Sequence, residues 1–417
     1  MTEKTLVPKL RFDFQQSNFE KHKLGDLVEK VVAGATPKTS VEEYWDGGDI
    51  PWLSSGEVHK KFIYFTDKFI TSKGYDNSST KLVPENSVLI ALAGQGKTRG
   101  TVAINKIELC TNQSIASIIP NNKLYYKFLF YYLESRYNYL RALSSSDGGR
   151  GGLNLKLIRS IPIIIPSFDE QKKISDFIEL IDKKIKILEQ KHQIYQDFKK
   201  YLMQQIFAQK LRFAEDSKWK TVTINDIFDN ITDYVAAGSF ADIKKNVEYK
   251  SKPNYAQLVR TVDLKSKFQN KDFVYVNQHA FEYLWRVNLN KPCIVLPNIG
   301  NVGEVYYVNP DRLPHKNNVL APNAILLKSD ENIKFKYYLL ESEYFKYQLD
   351  IINESAGRGK FNKTNLKKIK IKLPVDNIEQ EKIADFLTNI DIKLDNYNQQ
   401  LKDIGDFKKG LLQQMFV

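Results

Sequence analysis

The stretch that decides the fold is EQKKISDFIELIDKKIKILEQKHQIYQDFKKYLMQQIF, residues 170–207, which returns as EQEKIADFLTNIDIKLDNYNQQLKDIGDFKKGLLQQMF at residues 379–416. The copies lie 209 residues apart, align without a gap and share 18 of 38 positions. A repeat of this kind indicates a duplicated architecture. The chain is therefore predicted to consist of two similar halves, each ending in one copy.

Each copy is predicted to be one long helix, because apolar residues recur every seven positions, as in a coiled-coil seam. The seam positions are Ile174, Ile181, Leu188, Tyr195 and Leu202 in the first copy, and Ile383, Ile390, Tyr397, Ile404 and Leu411 in the second. At 1.5 Å per residue, each helix would span roughly 57 Å. The companion seam is interrupted at the matched positions Lys199 and Lys408. We predict that these lysines mark the edge of a surface that docks a partner.

The remaining sequence predicts two mixed α/β domains. We expect a first domain at residues 1–167, a long helix at 168–210, a second domain at 211–374 and a long helix at 375–417. The helices can share their whole seam only if they run antiparallel, which gives an α+β fold with a pseudo-twofold internal repeat. Within the domains, Lys23–Val32 has the pattern of a short amphipathic helix, and 219–229 matches it. Four strands are predicted within 62–119, and tyrosine-rich helices within 123–143 and 334–349.

The charge, cysteine content and apolar runs of the sequence limit the classes of function to consider. The chain has 417 residues, 62 Lys and Arg against 49 Asp and Glu, and a formal net charge of +13. This excess favours a polyanionic partner such as nucleic acid. The two cysteines, Cys110 and Cys293, are expected to be buried and reduced. The first residues have no apolar core of signal-peptide length, and no apolar run approaches membrane-spanning length, so a cytoplasmic protein is expected.

One motif resembles a nucleotide-binding loop. Ala91-Leu-Ala-Gly-Gln-Gly-Lys97-Thr98 follows a predicted strand and ends in Gly-Lys-Thr, close to the phosphate-cradling pattern. The first position is alanine instead of glycine, and the residues that follow are β-branched and unsuited to the required helix. The matching stretch of the second half has no Gly-Lys-Thr. A P-loop ATPase therefore stays a minor alternative, and a tight β-loop is the preferred interpretation.

No other catalytic or metal-binding constellation is present in the sequence, so a non-catalytic protein without its own cofactor or metal is expected. The polar loops instead carry the residue types that read base edges in the major groove. The candidates for DNA binding in the first domain are Thr36, Lys38, Ser54, Ser55, Gln95, Lys97, Thr98, Arg99, Asn112, Gln113 and Arg150. Those in the second domain are Arg260, Thr261, Asn298, Asn301, Asn317, Asn318 and Arg358.

With these features in place, the chain resembles the specificity (S) subunits of Type I restriction–modification systems. The resemblance rests on VPKLRF near the N-terminus, on GATPKT followed by YWDGGDIPWLSSGEV, and on the repeated P-x(3–4)-EQ-x-x-I-x-D-F that opens each long helix. It covers nearly the whole chain. It implies two target-recognition domains, each reading one half of an asymmetric bipartite site in double-stranded DNA.

The resemblance also implies the partners. The paired helices would set the spacer between the half-sites and dock two methyltransferase (modification) subunits, which would bind S-adenosylmethionine and flip the target adenine. Restriction/translocase subunits would use ATP and Mg²⁺. A stable homo-oligomer is not expected. Two alternatives stay open: a related system in which modification and cleavage share one chain, and a coiled-coil scaffold without DNA affinity.

Overall fold

The computed structural model describes residues 8–12, 19–94, 97–143, 152–214, 217–355 and 360–416. The chain divides into two compact units. The first unit comprises residues 1–190 and 398–417, and the second comprises residues 191–397. Each unit contains one mixed α/β domain together with part of both long helices, so neither helix belongs to a single unit.

The first unit alternates short strands with short helices. Its strands, within the described ranges, are β1 (Glu20–Lys23), β2 (Val28–Ala33), β3 (Ile50–Leu53), β4 (Phe62–Ile63), β5 (Lys68–Ile70), β6 (Leu82–Val83), β7 (Val88–Ala91), β8 (Val102–Asn105), β9 (Leu109–Thr111), β10 (Ile115–Pro120) and β11 (Pro162–Ile165). Its helices are α1 (Ser72–Asp76), α2 (Tyr126–Ser135), α3 (Tyr137–Leu143), α4 (Leu155–Arg159) and the start of α5 (Phe168–Phe207). Single 3₁₀ turns occupy Leu24–Leu27, Glu42–Tyr44 and Ser55–Lys60.

The second unit has a similar order, with nine described strands against eleven. Its described strands are β12 (Trp219–Thr223), β13 (Asn230–Asp233), β14 (Ala256–Val259), β15 (Val274–Val276), β16 (Cys293–Pro297), β17 (Tyr306–Val308), β18 (Asn318–Leu320), β19 (Ala324–Lys328) and β20 (Lys370–Pro374). Its helices are α6 (Ile224–Ile227), α7 (Phe240–Asn246), α8 (Thr261–Lys265), α9 (Gln278–Tyr283), α10 (Ile333–Glu341), α11 (Glu343–Ser355), α12 (Lys363–Lys367) and the start of α13 (Asn377–Met415). The 3₁₀ turns are Tyr234–Ala237, Trp285–Val287 and Pro310–Arg312.

The sheets of the two units correspond, except that β4 and β6 of the first unit have no counterpart among the described strands of the second. In the first unit they have the orders β1-β11, β2-β10-β7-β8-β4 and β5-β3-β9-β6. In the second they have the orders β12-β20, β13-β19-β16-β17 and β15-β14-β18. The single parallel pair of the third sheet is also matched, since β3 runs parallel to β9 and β14 runs parallel to β18. The predicted internal repeat is therefore confirmed at the level of topology.

The helix predicted at Lys23–Val32 is wrong. The segment forms the end of β1, one 3₁₀ turn and β2, and β2 pairs antiparallel with β10. Leu24, Leu27 and Val31 are buried, so the apolar spacing is real, but a turn followed by a strand satisfies it equally well. The β-branched residues Val28, Val31 and Val32 favour the strand. The same error affects 219–229, which forms β12, α6 and the approach to β13.

The other predicted elements agree with the structure. The four strands predicted within 62–119 are β4, β7, β8 and β10. Each tyrosine-rich helix is present but breaks in two, at Arg136 in the first unit and at Ser342 in the second. The glycine-rich segment at 144–154, which the sequence predicts to be a loop, lies for the most part outside the described residues.

The long helices run antiparallel in both units. In the first unit, the early residues Ile174 and Ile178 of α5 share one core with Leu411 and Met415 at the end of α13. In the second unit, the late residues Leu202 and Ile206 of α5 share a core with Ile383 and Leu387 at the start of α13. Each fully buried leucine or isoleucine contributes about 1.5–3 kcal/mol to such a core. Also in the second unit, the rings of Tyr195 and Tyr397 on the two helices lie 5.5 Å apart.

Both cysteines are free and buried. Burial raises the pKa of Cys110 to about 11 and that of Cys293 to about 12. Over the described ranges, no group of His, Cys, Asp and Glu side chains is placed to hold a metal ion. Nor does any described helix combine the length and apolarity needed to cross a bilayer.

Candidate nucleic-acid interface

Several predicted DNA-binding loops of the first unit meet around residues 112–114. The amide of Asn112 donates to the carbonyl of Leu53 at 3.0 Å, at the end of β3. The amide of Leu92, just after β7, donates to the carbonyl of Ser114 at 2.8 Å, and the amide of Leu153 donates to Leu92 O at 3.1 Å. Gly152 and Leu153 thus lie at the same edge of the domain.

The segment after β2 joins this group. The hydroxyl of Thr36 donates to Oε1 of Gln113 at 2.6 Å. A Cβ atom at Gly34 would lie 1.8 Å from the carbonyl oxygen of Thr111, so only glycine allows the two backbones to approach this closely. The structure therefore brings Thr36, Asn112 and Gln113 together, with Ser54 directly after the bonded Leu53.

The second unit builds the same arrangement with other side chains. The amide of Ala321 donates to Val259 O at 2.8 Å, the amide of Asn298 donates to Asn323 O at 3.1 Å, and the amide of Phe361 donates to Asn298 O at 3.1 Å. These three main-chain bonds correspond one to one with those of the first unit. Two homologous edges result, and each gathers the ends of several strands.

The predicted residues divide by location. Thr36, Ser54, Ser55 and Asn112 lie at or beside the edge of the first unit, and Arg260, Thr261 and Asn298 lie at or beside that of the second. Lys38 is exposed beyond Thr36, Asn301 is exposed between β16 and β17, and Lys97, Thr98 and Arg99 form the turn between β7 and β8. Asn317 and Asn318 lie at the other end of β18, and Asn318 is only 3% exposed. Gln95, Arg150 and Arg358 lie outside the described residues.

Two of these candidates have structural partners. The guanidinium of Arg260 donates to both carboxylate oxygens of the buried Asp263, at 3.0 and 2.7 Å, and to the carbonyl of Asp272 at 2.6 Å. Hydrogen bonding to Asp263 holds the pKa of Arg260 above its ordinary value. Ser54 precedes a 3₁₀ turn, and its hydroxyl donates to the Glu57 carboxylate at 3.1 Å. Both residues contribute to loop geometry whatever they contact outside the chain.

The Gly-Lys-Thr segment does not form a nucleotide-binding loop. Lys97 lies in the turn of an antiparallel hairpin, since β7 pairs with β8 from Val88↔Ile104 to Ile90↔Val102. A strand follows instead of the helix whose N-terminus must face the phosphates. The turn is fixed by Gly94 and Gly100, both with positive φ, and by the Tyr137 hydroxyl, which donates to Lys97 O at 2.8 Å. The structure therefore does not favour the P-loop alternative.

Sequence reasoning missed an ion pair at the edge of the second unit. Nζ of Lys363, at the start of α12, lies 2.9 Å from Oδ1 of Asp233, at the end of β13. Asp233 also accepts a bond from the amide of Ala236. The two residues are 130 positions apart, and no local pattern in the sequence connects them.

The structure changes the interpretation of Lys199 and Lys408. Both are mostly buried and bind acidic groups within the chain, and Lys408 also lines a surface cavity of the first unit. Nζ of Lys408 lies 2.7 Å from Asp182 on α5 and 3.0 Å from Glu134 on α2. In the second unit, Nζ of Lys199 lies 2.7 Å from Asp391 and 3.9 Å from Glu341. A buried seam lysine is retained because its charge is paired.

A tyrosine completes each of these clusters. The Tyr131 ring lies 5.4 Å from Lys408 Nζ, and its hydroxyl is 3.2 Å from Asp182. Tyr338 repeats this with Lys199 at 5.2 Å and Asp391 at 2.7 Å. Burial raises the pKa of both tyrosines far above the ordinary value. Each cluster thus joins a tyrosine-rich helix of one domain to both long helices.

A second matched contact anchors the head of each long helix. The guanidinium of Arg11 pairs with both carboxylate oxygens of Glu170, at 3.2 and 2.9 Å. Arg212 pairs in the same way with Glu379, at 2.9 and 3.1 Å. The neighbouring rings also match, with Phe12–Phe177 and Phe213–Phe386 both 5.3 Å apart. The sequence signal is the repeated Lys-Leu-Arg-Phe at 9–12 and 210–213, whose offset differs from that of the long helices.

These features define a class: an internally duplicated protein in which two homologous domains, each with a polar loop edge, share a pair of antiparallel helices. The family model described as Type I restriction modification DNA specificity domain matches twice, at residues 16–195 and 216–405. The chain belongs to this family.

Individual relatives agree with the assignment. The chain is 28% identical over 172 residues to the Type I restriction enzyme EcoR124I/EcoR124II specificity subunit of Escherichia coli, covering 41% of this chain and 42% of that one. It is 23% identical to the MjaVIII specificity subunit of Methanocaldococcus jannaschii, covering 95% of this chain and 91% of the relative. The first of these matches therefore spans less than half of the relative's length.

The fold also matches a solved structure. The S subunit of a Type I restriction–modification system from M. genitalium superposes with a TM-score of 0.60 at 17% identity, covering 99% of both chains. At this identity the likeness concerns the fold alone. It extends over both domains and both long helices.

Proposed function

We propose that this chain is the DNA-recognition subunit of a Type I restriction–modification complex and is not itself an enzyme. The observation that carries the proposal is the repeated loop edge, where the same three main-chain bonds hold different polar side chains in the two units. Such an arrangement suits two readers of different sequences on one scaffold. Each domain would read one half of an asymmetric bipartite site, with base contacts giving specificity and the basic surface giving phosphate affinity.

The two long helices would serve both domains. We propose that they set the spacer between the half-sites and dock two modification subunits, with restriction/translocase subunits joining the complex. S-adenosylmethionine, ATP and Mg²⁺ would be bound by those partners, in the cytoplasm. A chain in which modification and cleavage are fused could take the place of separate partners, and the genes beside this one would distinguish the two arrangements.

Exchange of one domain tests the division of labour. Residues 211–373 are replaced by the corresponding domain of another family member, and methylated sites are mapped genome-wide in cells expressing the cognate modification subunit. We expect one half-site to change while the other half and the spacer stay the same. Methylation that changes in both halves would contradict independent reading.

A paired deletion tests the spacer role. Removing one heptad from each helix, residues 184–190 and 393–399, shortens each helix by about 10 Å. At roughly 3.4 Å per base pair, this corresponds to about three base pairs. The mapped spacer should shorten accordingly. An unchanged spacer in an assembled, active complex would refute the role of the helices as a ruler.

A further inference from the structure

One cavity of the first unit lies away from the loop edge and shares Glu134 and Lys408 with the buried cluster. It has a volume of about 470 Å³ and lies between the break that separates α2 from α3 and the last turns of α13. Residues with charged and apolar side chains line it together, among them Arg136, Tyr137, Lys408, Lys409, Leu412 and Phe416. A concave surface lined by cations has the features of a binding site.

The second unit supplies an internal comparison. The sequence Leu-Glu-Ser-Arg-Tyr at 133–137 corresponds to Leu-Glu-Ser-Glu-Tyr at 340–344, so Arg136 takes the place of Glu343. Glu343 accepts hydrogen bonds from Gln204 at 2.7 Å and from Lys200 at 3.3 Å. These hydrogen bonds lower the pKa of Glu343, and the bond from Gln204 has the largest effect. The second unit thus neutralises Lys200 within the chain.

The first unit cannot do the same. Lys409 occupies the position of Lys200, but the residue that faces it across the cavity is a second cation, Arg136. Among the described residues in and beside the first-unit cavity, the cations Arg136, Lys408 and Lys409 accompany the anions Glu134 and Asp182. The matched residues of the second unit are the cations Lys199 and Lys200 with the anions Glu341, Glu343 and Asp391. The matched positions therefore hold more cations than anions in the first unit and more anions than cations in the second.

The cavity also has open space and apolar walls beside its cations. Gly405 forms part of its lining, and a Cβ atom there would meet nothing within 4 Å, whereas the matched residue of α5 is Gln196. The glycine thus leaves room that a longer side chain would fill. Leu412 and Phe416 provide apolar walls, with the Phe416 ring 5.9 Å from that of Tyr132. A recess with apolar walls and cations suits the methylene stem and carboxylate of an acidic side chain.

We propose that this cavity binds an aspartate or glutamate side chain of a protein partner, and that the second unit has no equivalent site. The proposal rests on the proposed function, in which two copies of one modification subunit dock on the matched long helices. An acidic side chain presented by both copies would meet Arg136 and Lys409 in the first unit and Glu343 in the second. The two copies would then bind with unequal affinity, the tighter step being the more salt-sensitive.

The test uses the full chain with its cognate modification subunit. The two stepwise dissociation constants are measured by mass photometry as a function of salt. Arg136→Glu, which installs the second-unit residue, should weaken one step at least tenfold and leave the other unchanged. Gly405→Gln, which fills the cavity without changing its charge, should weaken the same step. The reciprocal Glu343→Arg should tighten the other step. Melting temperatures equal to that of the wild type establish that the variants are folded.

Other outcomes would contradict either the binding role of the cavity or the proposed function itself. If both stepwise dissociation constants stay at their wild-type values in Arg136→Glu and in Gly405→Gln, the proposal is overturned while the proposed function stays in place. Unchanged steps with a tenfold loss of duplex DNA affinity would assign the cavity to a phosphate and overturn it as well. A wild-type chain that binds no modification subunit at all would refute the proposed function itself.

Discussion

Lys408 places its Nζ atom 2.7 Å from Oδ1 of Asp182, a residue 226 positions earlier in the chain. Both side chains are mostly buried, at 10% and 21% exposure. Replacing Lys408 by methionine should leave Asp182 and Glu134 without their main counter-charge. Loss of one member of a buried ion pair costs about 3 kcal/mol. We therefore expect a lower urea midpoint for Lys408→Met and for its counterpart Lys199→Met.

The exposed Lys402→Met on the same helix is the control, and its midpoint should equal that of the wild type. Adding Asp182→Leu to Lys408→Met should recover part of the loss, because an apolar pair can replace a buried ionic one. A single variant as stable as the wild type would show that the cluster does not stabilise the first unit.

Glu134 should make this stability depend on pH. Burial by itself would raise the pKa of Glu134, but Lys408 and Lys61 outweigh it and lower the pKa below the ordinary value of 4.5. A carboxylate with a depressed pKa stabilises the folded state above the unfolded value, and this contribution disappears as the pH falls through the folded value. The stability difference between the wild type and Glu134→Gln should be constant above about pH 6 and narrow below about pH 4.5. A difference that is independent of pH would contradict the ion-pair assignment.

The anchors of the helix heads should be equivalent in the two units. Arg11→Ala leaves Glu170, which is 3% exposed, without its bidentate partner, and Arg212→Ala does the same to Glu379, which is 0% exposed. Each should lower the free energy of unfolding by about 3 kcal/mol. The exposed neighbours Lys9→Ala and Lys210→Ala are the matched controls and should be silent. If Arg11→Ala and Arg212→Ala melt at the same temperature as the lysine controls Lys9→Ala and Lys210→Ala, the anchor role is refuted.

Lys97 should contribute to DNA affinity without reading sequence. Its side chain is exposed in the turn between β7 and β8. In the assembled complex, Lys97→Ala should weaken binding to target and non-target duplexes alike and reduce the salt slope by about 1. A loss confined to the target duplex would instead identify Lys97 as a base-reading residue. Lys402→Ala, on α13, serves as the control for a general loss of charge.

The cysteines should resist modification in the native state. Both thiols are buried, and burial raises the pKa of Cys110 to about 11 and that of Cys293 to about 12. Because the thiolate is the reactive form, disulfide exchange with an aromatic disulfide reagent at pH 8 should be slow. Two equivalents should react rapidly in denaturant. Rapid reaction of one thiol in the native protein would show local opening around it.

The long helices could be predicted from the sequence because their information is periodic. Ile174, Ile181 and Leu188 recur every seven residues, and a helix converts that interval directly into one buried face. The helix predicted at Lys23–Val32 is wrong because a long-range contact decides its structure. Leu24, Leu27 and Val31 have helical spacing, but pairing of β2 with β10, about 90 residues away, overrides the local pattern.

The contacts of the candidate site were harder to predict. The interruption of the seam at Lys408 is visible in the sequence, but its partners Glu134 and Asp182 come from elements 274 and 226 residues away. A lysine at a seam position is equally consistent with a docking surface until those partners are placed. The Arg11 and Arg212 anchors were detectable in principle, through the repeat of Lys-Leu-Arg-Phe.

The bonds that define both loop edges join main-chain atoms only, from Asn112 N to Leu53 O in one unit and from Ala321 N to Val259 O in the other. Nearly any residue can supply such a bond. Side chains along the edge can consequently be replaced in the course of evolution without loss of the frame that presents them. Under the proposed function, a lineage carrying this scaffold could acquire a new target sequence by a few substitutions or by recombination of one domain, while the inherited helices and their proposed partners are kept.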